Sequence, residues 1–215
     1  MNSTLSVVTA PATEPVSLAD AKKHLRLDQD YDDTLVQGLI VAARTIIEQW
    51  TARCLINQTL LWTMSQSVPS GALPLLPMPL LVLPIILTAP QVVNKPLELP
   101  RSPVSAVDSV VWTDTGGDTY TLVAGTDYVT DLALQPARVR LTWLTVPRFL
   151  ENIQVQFVAG YGPTAASVPA PLIAAVKIML SWLYEHRGDN PNTSGAPPQA
   201  IEYLIAPYRI AFFGG

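Results

Sequence analysis

DDTLVQGLIVAARTIIEQWTARCLINQTLLWTM (Asp32–Met64) changes its hydrophobic period part-way along, and that change sets the fold class. Up to Arg53 the apolar residues return at helical spacing: Leu35, Leu39, Ala43, Ile46 or Ile47, and Trp50, with Val36 and Ile40 widening the stripe. Asp32 or Asp33 can cap this helix, and both carboxylates suit the positive end of its dipole. From Asn57 the segment NQTLLWTM reads as a strand. A long amphipathic helix that hands over to a strand predicts a mixed chain.

Upstream, PVSLADAKKHLRL places Ser17 as a helix N-cap with Asp20 three residues on, a variant of the capping box. Leu18, Ala21 and Leu25 mark one face of a short helix ending near Leu27. The preceding residues 1–16 lack a basic segment followed by an apolar core, so they do not read as a secretory signal. They are expected to form a flexible or docking arm.

Downstream, strands are expected at Ser105–Thr113, Asp118–Val123, Ala137–Trp143 and Asn152–Gly160. Asp114-Thr115-Gly116-Gly117 carries hairpin chemistry, because glycine takes the positive φ that such turns demand. In NIQVQFV, Ile153, Val155 and Phe157 alternate with Asn152, Gln154 and Gln156, as on a half-buried sheet. Helix returns behind Pro169 and Pro171, with Leu172, Ile173, Val176, Met179, Leu180 and Leu183 on one stripe, closed by Arg187-Gly188. A last short helix, QAIEYLIAPYRI, is interrupted by Pro207. The fold class expected is α+β: helices from 17–55 and 168–206 packed as a helical bundle, an antiparallel β-rich block inserted at 56–162, and a tail at 207–215.

Inside the β block lies LPLLPMPLLVLPIILTAP (Leu73–Pro90), part of a charge-free stretch from Cys54 to Asn94. A membrane helix needs about 20 apolar residues with every backbone group bonded internally. Pro74, Pro77, Pro79 and Pro84 each remove a donor and clash with the preceding turn, at about 3 kcal/mol apiece. No membrane span is expected. The Pro-rich apolar loop, 70–96, reads as extended, and burial against a neighbour is the economical way to keep it from aggregating.

Composition agrees with a chain that meets other subunits. Charged residues make up 14% of the 215, against a typical value of about 25%, so little charge is available to solvate a large surface. The net charge of −4 and the absence of a dense basic cluster argue against a dedicated nucleic-acid binder. The lone cysteine, Cys54, allows no internal disulfide and suits a reducing compartment.

Patterns for catalysis or metal binding are weak. The acidic run Asp28–Asp33 resembles the start of a calcium loop but puts Asp33 where glycine is needed and Leu39 where the bidentate glutamate belongs. Helix capping and a solvated turn explain it better. His24 and His186 neighbour helix-surface charges, and Cys54 has no CxxC partner. Gly160-Tyr161-Gly162-Pro163 lacks the ending of a phosphate loop and reads as a turn. Asp127 and Asp131 are read as solvated loop carboxylates rather than an acid–base pair. Trp50, Trp62, Trp143 and Trp182 fall on apolar stripes as core or interface anchors. Neither an enzyme nor a cofactor is expected.

The order of segments carries a resemblance. PVSLADAKKHLRLD and the run ending in Glu48–Thr59, which fits E-x-x-T-x-[RK]-x-L-[IL]-x-Q-T, look like the opening of the phage head-tail connector proteins. That adaptor family includes the HK97-type connectors and the group resembling protein gp8 of phage phiE125. The similarity resumes at LPRSPVSAVDSVVWTDTGGDTYTLVAGTDYVTD (Leu99–Asp131), then VQFVAGYG, the helix VPAPLIAAVKIMLSWLYEHR and IAPYR (Ile205–Arg209).

What the resemblance implies is structural: a homo-oligomeric ring, usually of twelve subunits, under the portal protein at the virion neck, assembled in the host cytoplasm. Such a ring extends the channel for genomic DNA, which passes without sequence-specific binding, and presents a surface to stopper or tail proteins. A factor that packages DNA by binding it directly, like a terminase small subunit, is the rival reading. In similar adaptors the C-terminal segment grips the portal, which here implicates Ala206, Pro207, Tyr208, Arg209, Ile210, Phe212 and Phe213. The apolar run is longer and greasier than the family's usual link. Its Leu75, Leu76, Met78, Leu80, Leu81, Leu83, Ile85 and Ile86 are expected to face a neighbouring subunit or the capsid.

Overall fold

The computed structural model describes residues 2–65, 96–114, 116–142, 150–187 and 195–210. It is an α+β chain. A strand β1 (Asn2–Thr9) precedes helices α1 (Leu18–Leu25) and α2 (Asp33–Thr51). The β-rich middle follows: β2 (Gln58–Ser65), β3 (Leu97–Glu98), β4 (Val104–Asp114), β5 (Thr119–Thr121), β6 (Tyr128–Asp131), β7 (Arg138–Leu141) and β8 (Leu150–Ala159). Helices α3 (Ala170–Glu185) and α4 (Gln199–Ile205) end the described chain, with a short 3-10 turn at Ala206–Tyr208.

The helices form where their caps and stripes direct. Ser17 is the N-cap of α1, its hydroxyl accepting the Asp20 amide at 3.1 Å. Asp32 occupies the N-cap position of α2 but its side chain bonds no helix amide; its carboxylate accepts the Tyr184 hydroxyl from α3 at 2.6 Å. Val36, Ile40, Ala43 and Ile47 of α2 face Leu172, Val176, Met179 and Leu180 of α3, and Ile201 and Ile205 of α4 complete that core.

The strands make two antiparallel sheets, ordered β1-β2-β8-β4-β5 and β3-β7-β6. Register puts Leu60 opposite Phe157 and Met64 opposite Ile153, so the apolar alternation of β2 and β8 falls on one face. That face shares a second core with Val139 and Leu141 of the small sheet, and with Leu99 and Tyr128. The other face carries Thr63, Gln154, Gln156 and Ser109, all half-buried.

Several expectations need correction. Residues 2–16 are not a flexible arm: β1 pairs along β2 from Asn2 opposite Ser65 to Val7 opposite Leu60, and Val16 is buried in the helical core. Main-chain pairing, which leaves no trace in side-chain hydrophobicity, holds it there. Trp50 is 36% exposed on α2, since Ile47 and Thr51 take the buried positions beside it. Asp127 is buried rather than solvated; its carboxylate accepts the Val123 amide at 2.7 Å and ties a turn. Trp143, Gly188 and the apolar run Leu73–Pro90 lie outside the described residues.

Candidate functional site

The two cores meet at one joint, where the Glu48–Thr59 motif sits. α2 ends at Ala52, whose φ of 56° is left-handed, and the chain turns back. Cys54 enters the sheet core and Leu55 and Ile56 enter the helical core, so three consecutive residues cross between them. The return crossing is Ala159-Gly160-Tyr161. Tyr161 donates its amide to the Leu55 carbonyl at 3.3 Å, and Asn57 donates to that of Gly162 at 2.9 Å. A Cβ on Gly160 would stand 2.4 Å from the Asn57 nitrogen, which explains a glycine in GYGP.

Glu48 is the centre of the joint. One carboxylate oxygen accepts the Leu55 amide at 2.7 Å and the other accepts Arg44 Nη1 at 2.8 Å, while Gln58 Nε2 lies 3.5 Å from both. Arg44 in turn reaches Glu14 at 2.7 Å, which fixes the chain ahead of α1. Arg101, from the LPR segment, donates to the Glu48 carbonyl at 2.6 Å. Burial pushes the Glu48 carboxyl above the usual carboxylate range, and Arg44 and the Leu55 amide work against that shift.

Arg53, also buried, binds the three parts of the chain to one another. Its Nη2 donates to Gln135 of the β block at 2.7 Å, its Nε donates to the Tyr208 carbonyl of the tail, and its guanidinium lies 5.8 Å from the Tyr161 ring centre. Burial pushes the Tyr161 phenol upward. Burial also raises the neighbouring Cys54 thiol to about 12. These bonds join the end of α2 to the β block and to the tail.

This geometry separates the residues expected at the docking tail. Ile210 donates its amide to the Thr51 carbonyl at 3.2 Å, and Arg209 pairs with Glu202 at 2.7 Å. Tyr208 is tied to Arg53, while Ala206 and Pro207 lie exposed in the 3-10 turn. The segment 206–210 is thus strapped against the end of α2. Tyr203, one turn earlier on α4, is 73% exposed beside the Glu202–Arg209 pair; an apolar stripe reading passes over it because it stands on the opposite face from Ile201 and Ile205. Phe212 and Phe213 lie outside the described residues, as do Leu75, Leu76, Met78, Leu80, Leu81, Leu83, Ile85 and Ile86.

Other sequence features take local roles. In the acidic run, Asp30 and Asp33 pair with Lys22 of α1. His186 stacks on Trp182 at 4.8 Å. Among the described residues no group of three or more His, Cys, Asp or Glu is placed to hold a metal ion, and no helix is long and apolar enough to cross a membrane.

Residues 15–114 match the family model of the phage gp6-like head-tail connector protein. Over that stretch, a little under half of its length, the chain is similar to the head-tail connectors. The match runs from Pro15 through α1, α2 and the joint to the end of β4, so Glu48, Arg53 and Arg101 all fall inside the connector span.

No curated protein matches the chain. Among solved structures it is similar to a chain from the neck of an empty gene transfer agent particle computed with C6 symmetry: 24% identical, covering 99% of this chain and 98% of that one, with a TM-score of 0.70. A chain from the virion of the native gene transfer agent particle is 22% identical, covers 98% and 97%, and has a TM-score of 0.70. A third, from the neck of the native particle computed with C12 symmetry, is 22% identical, covers 99% and 98%, and has a TM-score of 0.68. At these identities the likeness is one of fold. It spans β5 to α4 as well as the connector match.

Proposed function

We propose that the chain is a structural head-tail adaptor of a tailed phage or phage-like particle, placed at the neck, and that it performs no catalysis. The observation that carries this reading is the connector match over Pro15–Asp114, joined to a nearly full-length fold likeness with neck chains of gene transfer agent particles. Copies form a ring of twelve under the portal, extend the DNA channel and offer their far side to a stopper or tail protein. The sparse charge of the chain fits a protein whose surface is shared with neighbours.

The joint sharpens the docking part of this reading. With Tyr208 and Ile210 strapped to α2, the residues past Ile210, Phe212 and Phe213 among them, are the segment that reaches the portal, and 206–210 is its fixed base. The apolar run at Leu73–Pro90 is covered by a neighbouring subunit or the capsid.

Size measurement in solution tests this, with the chain alone and mixed with purified portal. The adaptor reading expects co-elution at the mass of a ring on the portal, abolished when 211–215 are removed. Separate elution of the two intact proteins would remove the portal from the account.

A further inference from the structure

The strand β1 is attached in an unusual way. Seven of its eight residues are exposed and only Leu5 is half-buried, so it contributes almost nothing to either core. Its attachment is main-chain pairing with β2, plus one bond from the Ser6 hydroxyl to the Leu61 carbonyl at 3.4 Å. Val7 and Val8 stand 58% and 53% exposed, and the register slips between Val7 and Thr9. The strand carries no charge and no proline, the two devices that usually keep an edge from pairing with another chain.

The chain behind the strand is firmly anchored. Thr13 donates its hydroxyl to the Pro163 carbonyl at 3.1 Å, Glu14 pairs with Arg44 at 2.7 Å, and Val16 is buried. Between anchor and strand lie only Ala10-Pro11-Ala12, and the proline holds the residue before it extended. The slip at Val8 and this extended link separate a strand held by main-chain pairing from a body held by side chains.

We propose that in the assembled ring β1 is exchanged, each copy laying its Asn2–Thr9 along β2 of the adjacent copy. This rests on the ring reading above. The occupant is a second copy because the edge of β2 already accepts that sequence residue for residue, from Asn2 at Ser65 to Val7 at Leu60. Exchange of an identical element keeps every hydrogen bond of the single chain. It also sets Val7 and Val8 at a boundary between copies, where a neighbour covers them.

Thr4 and Thr63 face each other across the pair on the outer sheet face, so a T4C/T63C variant reports which copies are joined. Leu5 and Trp62, the next pair in register, give an L5C/W62C variant with the alternate cross-strand geometry. Cys54 is buried and stays in place. Oxidised rings, separated by size and then run on a denaturing, non-reducing gel, are expected to give a ladder of covalent multiples of the chain. Rings that dissolve into single, internally bridged chains in both variants overturn the exchange and leave the ring standing. If no ring forms in solution or on particles, the ring reading fails and the exchange falls with it.

Discussion

The Glu48 carboxylate accepts the amide of Leu55 at 2.7 Å, across the corner where α2 gives way to the sheet. That bond, with Arg44 on the other oxygen, ties the end of α2 to the segment that leads into β2. Replacing Glu48 by alanine leaves a buried Leu55 amide and half of the Arg44 guanidinium without partners. We expect a loss of about 3 kcal/mol, read as a lower urea midpoint at unchanged slope. Glu48→Gln retains one acceptor and should lose about half as much. Equal stability in both variants would mean the joint is held elsewhere.

Gly160 has a φ of 150° and no room for a side chain: a Cβ would meet Asn57 and Ile56 main-chain atoms at 2.4 to 2.6 Å. Gly160→Ala should therefore cost at least about 3 kcal/mol, because backbone on both crossings must move. Gly125, with a φ of 82° but open space around it, provides the comparison. Gly125→Ala should cost about 1 kcal/mol, from backbone strain alone. Thermal melts of the two variants separate crowding from strain.

Ala52 caps α2 with a left-handed φ of 56°, a conformation costing a residue with a Cβ about 1 kcal/mol. Ala52→Gly relieves that strain and returns part of the gain as chain entropy. A rise in melting temperature of about 1–2 °C is expected. A fall would show that the Ala52 methyl packs to more effect than its strain costs.

Burial raises the Cys54 thiol to about 12, against an ordinary value of 9.0. The folded chain then keeps the proton that the unfolded chain loses between those two values. Stability from this group is therefore complete below about pH 9 and declines as pH rises toward 12, by up to about 1.4 kcal/mol per pH unit. Cys54→Ser should flatten that alkaline slope. In the native chain at pH 8, a thiol reagent should react with Cys54 only as fast as the chain opens.

Much of this architecture is legible in the residues. Ser17 with Asp20 marks the start of α1, the stripe from Val36 to Ile47 marks α2, and Ile153, Val155 and Phe157 mark the inner face of β8. The joint is only half legible. The order Glu48, Arg53, Gln58 stands out as a pattern, yet the partners of Arg53 lie 82 and 155 residues away, at Gln135 and Tyr208, where no local spacing can point to them. Strand β1 escapes for another reason. Its pairing is by main chain, and with seven of eight residues exposed it has no buried face to create an alternation. Asp127 looks like any loop carboxylate until the turn at Val123 closes on it.

Where the chain sits and how many copies sit there are both open to direct imaging. Imaging of the neck of purified particles, with the chain located by a fused tag, addresses both. The account expects a closed ring of twelve between portal and tail, one tag per subunit. Particles whose neck lacks the chain, or that carry it as scattered single copies, would contradict it.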